Sequence, residues 1–210
     1  MLAGAKLPDG QIEELVSRAR AGDTAAFEAL VGKYKDRIYN YVARMVHDPT
    51  DAQDVAQETF VRAYQALPAF RGASSFQTWL YRIASNLAID TARSHRRRRW
   101  STVSINEPIN GEEHSELGRD LEDEVSLGPE EELEAKEIRQ QVREAIAELS
   151  DKLRPVIILY DLQGMSYQEI AQILGCPLGT VKSRLFNARN QLREKLKDRL
   201  PWAAGTLSSG

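Results

Sequence analysis

Apolar residues recur at three- and four-residue steps along most of this 210-residue chain, and no stretch alternates like a half-buried strand. Ile12, Leu15, Val16 and Ala19 mark a short helix over 11–21, ended by Gly22. After Asp23, a good cap, a long helix carries Phe27, Leu30, Val31, Tyr34, Ile38, Tyr41, Val42, Met45 and Val46 on one side and stops at His47-Asp48-Pro49. Thr50 and Gln53 form a Thr-x-x-Gln box for a third helix, whose stripe is Ala52, Val55, Ala56, Thr59, Phe60, Ala63 and Leu67. Pro68 breaks it. Ser74-x-x-Gln77 predicts the cap of a fourth helix with Phe76, Trp79, Leu80, Ile83, Ala84, Leu87 and Thr91 inward, and Gln77, Tyr81, Arg82, Ser85, Asn86 and Arg93 outside the stripe.

Periodicity lapses from Ser101 to Pro129 and returns near Glu130. Leu133, Ile138, Val142, Ala145, Ile146 and Leu149 form one stripe. Ser150 is expected to cap the next helix, with Leu153, Val156, Ile157, Tyr160 and Leu162 inside and Pro155 distorting its early turns. Ser166-x-x-Glu169 is a capping box for a helix carrying Ile170, Ala171, Ile173 and Leu174, and Gly175 stands where a left-handed glycine ends a helix. Cys176 to Gly179 make a turn, and a last helix starts near Thr180 with Val181 and Leu185 inward and runs to Leu200. The fold expected is all-α: two small helical domains, 10–100 and 130–201, joined by a linker over 101–129, the second a helix-turn-helix.

Charge changes this picture. The net charge of −3 conceals a sharp segregation. From Glu107 to Glu134 there are twelve acids against Arg119 alone, so the rest of the chain holds 27 basic and 19 acidic residues. Two basic bodies therefore flank an acidic strap, and the overall charge misleads about nucleic-acid binding. The strap is too charged and apolar-poor to offset the entropy of ordering. It is either a solubilising tether or a mimic of nucleic acid for a basic channel. Five arginines between Arg93 and Arg99 exceed what a helix C-terminus needs and read as phosphate-binding. The loop from Pro68 to Ser74 mixes Phe70, Arg71, Gly72 and hydroxyls; it is either a holder for an unstacked base or a plain connection. On the third helix Asp51, Asp54, Gln57 and Glu58 are either a solvated face favourable to the helix dipole or a docking surface for a basic protein. On the last helix Thr180, Lys182, Ser183, Arg184, Asn187 and Arg189 are the inventory that contacts phosphates and base edges in a major groove.

Little else in the chain suggests chemistry. Cys176 is the only cysteine, excluding an internal disulfide, and is expected to be a small buried residue. His47, His95 and His114 are scattered, and nothing calls for a metal, cofactor or small-molecule substrate. There is no apolar run of eighteen residues and no apolar signal core at the N-terminus, so the expected location is the cytoplasm. Two other classes remain in view: a dimeric operator-binding regulator whose first body is a sensor, and a DNA-acting enzyme, for which no catalytic constellation is visible.

Two motif sets carry a resemblance. Asp51-Ala-Gln-Asp-Val-Ala-Gln-Glu-Thr-Phe60, Phe70-Arg-Gly and Thr78-Trp-Leu-Tyr-Arg-Ile-Ala84 resemble the first domain of a bacterial RNA polymerase sigma factor. Gly164-Met-Ser-Tyr-Gln-Glu-Ile-Ala171 and Gly179-Thr-Val-Lys-Ser-Arg-Leu185 resemble its last domain. The shortness of the chain resembles the extracytoplasmic-function group. The resemblance implies that Asp51, Asp54, Gln57 and Glu58 dock on the clamp helices of the largest polymerase subunit, with the flap as a further contact of the core enzyme. It implies that Phe70, Arg71, Ser74, Ser75, Tyr81, Arg82, Asn86, Arg93, Arg96 and Arg97 take and help open the −10 element. Thr180, Lys182, Ser183, Arg184, Phe186, Asn187 and Arg189 would read the −35 element as duplex. Asn187 stands where many relatives carry a basic residue. An anti-sigma factor, often membrane-bound, is an implied partner.

Overall fold

The computed structural model describes residues 9–46, 48–102 and 129–199. Most of the acidic linker, the tail beyond Arg199, and the side chains of Arg98, Arg99 and Trp100 fall outside the described set. All the regular elements described are helices, in two separate bodies. None of these helices is long and apolar enough to cross a membrane.

The first body holds α1 (Asp9–Arg20), α2 (Thr24–Met45), α3 (Pro49–Ala66), a 3-10 turn (Leu67–Ala69) and α4 (Phe76–Thr102). Asp23 caps α2 by accepting from the Ala26 amide at 3.1 Å. The central helix α2 packs against α1, α3 and α4, and buries Leu30, Tyr34, Ile38, Tyr41, Val42 and Met45. Ala52 and Ala63 of α3, with Ala84 and Ala88 of α4, are fully buried, and such small side chains let these two helices approach closely. Thr59 sits inside the same seam; its hydroxyl donates to the Val55 carbonyl at 2.7 Å, one turn back, so the core carries no orphaned hydroxyl there.

Two caps differ from expectation. Pro49 occupies the first turn of α3, where its missing N–H costs nothing, and this makes Asp48 rather than Thr50 the cap. Asp48 accepts from the amides of Thr50 and Asp51 at 2.7 and 3.3 Å. Likewise Ser75 rather than Ser74 caps α4, its hydroxyl accepting from the Thr78 amide at 3.1 Å. The amides of Thr50 and Asp51 hold the Asp48 carboxyl below the usual carboxylate range, with His95 adding a smaller pull. A depressed carboxyl stabilises the fold above the unfolded-state pKa, and the contribution is lost as pH falls through the folded-state value. Asp48→Asn keeps a capping oxygen without this titration. Its melting temperature therefore falls less than the parent's between about pH 5 and pH 3; equal falls would remove Asp48 from the acid response.

The second body holds α5 (Pro129–Ala147), α6 (Arg154–Ile157), a π turn (Ile158–Leu162), α7 (Tyr167–Leu174) and α8 (Leu178–Arg199). Its core is Ala145, Ile146, Leu149, Val156–Leu159, Met165, Ile170, Val181, Leu185 and Ala188. Pro155 lies in the first turn of α6, where it is tolerated; the departure from α geometry comes one turn later, in the π turn. That wider turn rotates the register. Ile158 and Leu159 are buried, while Leu162, expected inside, is exposed. Leu133 is exposed as well, and the side chain of Ser150 caps nothing at α6, although its carbonyl accepts from Leu153 and Arg154. Cys176 is half-buried rather than buried.

The helix-turn-helix follows its sequence signals closely. Ser166 accepts from the Glu169 amide at 3.3 Å while the Glu169 carboxylate accepts from the Ser166 amide at 2.9 Å. Gly175 ends α7 at φ 59°, a left-handed conformation that costs glycine nothing. Val181 and Leu185 face inward as their one-turn spacing requires.

Candidate nucleic-acid interface

The candidate docking residues share the start of α3. Asp54 and Gln57 are exposed, Asp51 and Glu58 half-buried. Glu58 accepts from Arg62 Nε at 2.7 Å, an exposed pair one helical turn apart. Asp51 Oδ2 lies 2.7 Å from His95 Nε2 of α4. Nothing in the local pattern around His95 announces a partner 44 positions earlier.

The candidate −10 residues divide. Arg82, Asn86, Arg93, Arg96 and Arg97 are all exposed. At about 100° per residue they fall within roughly 100° of arc on α4, and Arg82 to Arg97 spans about 22 Å along the axis. They thus form one continuous stripe of four guanidiniums and an amide. Arg71 and Ser75 are exposed and Ser74 half-buried, at the head of the same helix. Gly72 gives the loop its left-handed turn at φ 70°.

Two of the ten face inward. Tyr81, expected on the outer face, is fully buried. Its ring meets Tyr41 edge-on at 5.3 Å, and desolvation drives its hydroxyl pKa up. Tyr41 in turn bonds Ser85, also buried, at 2.8 Å. The part of that side holding Tyr81 and Ser85 is thus a second buried face, turned to α2, while Arg82, Asn86 and Arg93 stay outside. Phe70 is 9% exposed, with its ring 4.9 Å from Trp79 and 6.3 Å from Phe76. It anchors the loop rather than standing out from it.

On α8, Lys182, Ser183, Phe186 and Asn187 are exposed, Thr180 and Arg184 half-buried. Phe186 leaves 66% of its surface in solvent, a large apolar group among polar ones. Ser183 donates to the Thr180 carbonyl at 3.1 Å, and Arg184 Nη1 stands 3.9 Å from Cys176 Sγ. Arg189 is exposed as well, but it is paired within its own body. It forks onto Asp161, Nη2 to Oδ1 at 2.5 Å and Nε to Oδ2 at 3.3 Å, and lies over the Tyr160 ring at 5.2 Å. Tyr160 stacks on Tyr167 with centroids 4.9 Å apart, and Lys182 stands 6.0 Å from the Tyr167 centroid. The sequence pattern gives no signal for Asp161 or Tyr167, and its stripe places Tyr160 inside, whereas the structure leaves that residue half-buried. No periodicity encodes a contact that depends on the π turn.

Comparisons with known proteins agree with these two bodies. Residues 30–98 match the family described as Sigma-70 region 2, and residues 139–192 match Sigma-70, region 4. The RNA polymerase sigma-H factor of Pseudomonas aeruginosa is 40% identical over 191 residues, covering 91% of this chain and 96% of the relative. The ECF RNA polymerase sigma-E factor of Escherichia coli K12 is 42% identical over 184 residues, covering 87% and 93%. Among solved structures, CnrH in complex with the cytosolic domain of CnrY has 26% identity and a TM-score of 0.65, covering 90% of this chain and 98% of its own. The sigma factor RpoE of Bartonella quintana, in complex with the anti-sigma factor NepR, has 26% identity and a TM-score of 0.60, covering 81% and 96%. With both regions matched in order and relatives this similar over most of its length, the chain belongs to the extracytoplasmic-function sigma factors of bacterial RNA polymerase.

Proposed function

We propose that the two bodies divide promoter recognition, with the first also docking the core enzyme. The outer face of α3, through Asp54, Gln57 and Glu58 with Asp51 at its edge, meets a basic surface of the polymerase clamp. The stripe Arg82, Asn86, Arg93, Arg96 and Arg97, with Arg71, Ser74 and Ser75 at its head, takes the separated −10 strand along its phosphates and bases. Lys182, Ser183, Arg184, Phe186 and Asn187, opened by Thr180, read the −35 element as duplex. The observation that carries the reading is the pairing of opposite faces in one body: an acidic helix face on α3 beside an arginine stripe on α4. Acids so close to the arginine stripe would repel DNA phosphates, which favours a basic protein rather than DNA as the partner of the α3 face.

Each DNA contact is weak alone, and attachment of both bodies to one polymerase makes the second contact intramolecular. Unstacking the −10 step costs a few kcal/mol, and stacking of extruded bases on arginine or aromatic planes returns about 1–3 kcal/mol per base. The factor itself performs no bond chemistry and acts in the cytoplasm. Its regulator is an anti-sigma factor, of the kind seen with the Bartonella relative, that covers the docking faces and can hold the protein at the membrane.

Run-off transcription tests the reading. Purified core polymerase, this protein and a library of promoter fragments yield defined transcripts only when both proteins are present, and the fragments share two upstream elements. Absence of any complex with core, alongside tight dimeric binding of the protein alone to palindromic duplex, would make it a conventional regulator.

A further inference from the structure

Arg189 occupies an unexpected place for a cation on a recognition helix. It lies seven residues after Lys182, two turns further on the same face and about 10 Å along the axis. A flexible guanidinium there would reach for DNA phosphates. Instead the Nε–Nη2 edge of its guanidinium is taken by Asp161, twenty-eight residues earlier, and one face of its plane lies over Tyr160, although half of the side chain stays in solvent. The clamp stands on a fixed base. Tyr160 and Asp161 belong to the π turn, whose Ile158 and Leu159 are fully buried, and the turn is closed by the Gln163 amide donating to the Ile158 carbonyl at 3.0 Å. The Tyr160–Tyr167 stack ties the turn to the first residue of α7.

We propose that Asp161 is a specificity-determining residue of the −35 reader: it withholds Arg189 from the DNA backbone and so removes one sequence-blind phosphate contact. This rests on the reading of α8 as the duplex-recognising helix. Phosphate contacts raise affinity for every sequence alike, whereas base contacts discriminate. Exchange of Asp161 for a phosphate gains little, because one anion replaces another and the abandoned carboxylate then faces the phosphate. The clamp therefore persists on DNA, and Lys182, Ser183, Phe186 and Asn187 carry the discrimination.

The test uses holoenzyme, core polymerase with the full chain, and two labelled duplexes: a promoter taken from the run-off experiment, and the same duplex with its −35 element scrambled. Binding is measured across a salt series. Asp161→Asn is expected to bind the scrambled duplex about three- to tenfold tighter, to narrow the promoter-to-scrambled ratio, and to steepen log K against log[salt] by about 0.9, the mark of one added phosphate. Asp161→Asn combined with Arg189→Gln is expected to return both the ratio and the slope to the parent's values. If the double variant keeps the tighter scrambled binding, the carboxylate acts by its own repulsion and the proposal fails. An unchanged slope in Asp161→Asn, or a tenfold loss on the promoter from Arg189→Gln alone, also overturns it. A parent holoenzyme that binds both duplexes equally would refute the duplex-reading role of α8 itself, a separate failure.

Discussion

Asp54→Lys combined with Glu58→Lys lowers the affinity for core polymerase about a hundredfold and leaves the protein folded. Both side chains lie on the open side of α3, away from the Ala52, Val55, Thr59 and Ala63 seam. The local cost is small. Glu58 loses an exposed pair with Arg62, worth about 0.3–0.5 kcal/mol, and the reversal sets like charges one turn apart for a similar penalty. The interface cost is larger. Two cations pressed against a basic surface lose their attraction and add repulsion, and like-charge juxtaposition across an interface costs several kcal/mol. About 2.7 kcal/mol suffices for a hundredfold change. The measurement is competition of the variant against the parent for core polymerase, with thermal unfolding as the check on folding. Equal affinity in a folded variant would remove α3 from the docking surface. The effect weakens with added salt, since the pairs at the rim of such a surface are screened.

How far the sequence spoke for this protein depends on what each signal has to specify. Where one local rule decides, sequence and structure agree. The Ser166–Glu169 box and Gly175 frame α7 because a cap concerns only the backbone within one turn. Where two local rules compete, the stronger won. Pro49 fixes the first turn of α3 and so hands the cap to Asp48, a cue that was present in the Asp48-Pro49 pair and outweighed by the Thr50-x-x-Gln53 pattern.

The misses have tertiary causes. A single-stripe reading of α4 assumes one partner helix, yet α4 packs on both α2 and α3. A helix buried on two sides turns polar-bodied residues such as Tyr81 and Ser85 inward, provided a partner meets their hydroxyls, as Tyr41 does for Ser85. Phe70 looked like a stacking residue because its neighbours are a cation and a glycine, but two aromatic rings within reach bury it instead. Pairings across long separations, His95 with Asp51 and Asp161 with Arg189, leave no periodic trace at all. The candidate interface was therefore legible as helix faces and charge. The commitment of individual side chains on those faces was not.

Arg154 shows how a single buried cation organises the second body, and its replacement is the larger expected loss of stability. It is 5% exposed in the first turn of α6, in a core otherwise made of aliphatic groups. Its Nη2 donates to the carbonyls of Ala147 and Leu149, the latter at 2.9 Å, where α5 ends. Those are the acceptors a helix C-terminus leaves without partners, and a cation there also complements the helix dipole. Desolvation pulls the Arg154 pKa down while Asp151 holds it up, so the charge is maintained at a cost. Arg154→Met retains much of the side-chain volume and removes that cost, but strands two carbonyls. At about 1–3 kcal/mol for each unsatisfied buried acceptor, less the desolvation relieved, the expected net loss is about 3 kcal/mol. Arg154→Lys restores only part: both bonds come from Nη2, at the far end of the guanidinium, and the lysine nitrogen sits one bond nearer the backbone. Denaturant unfolding supplies the number, and amide exchange locates it: protection falls at Leu149, Leu159 and Ile170 while Ile38 and Ala84 in the first body keep theirs. A loss under about 1 kcal/mol would mean that water or another donor serves the α5 carbonyls equally well.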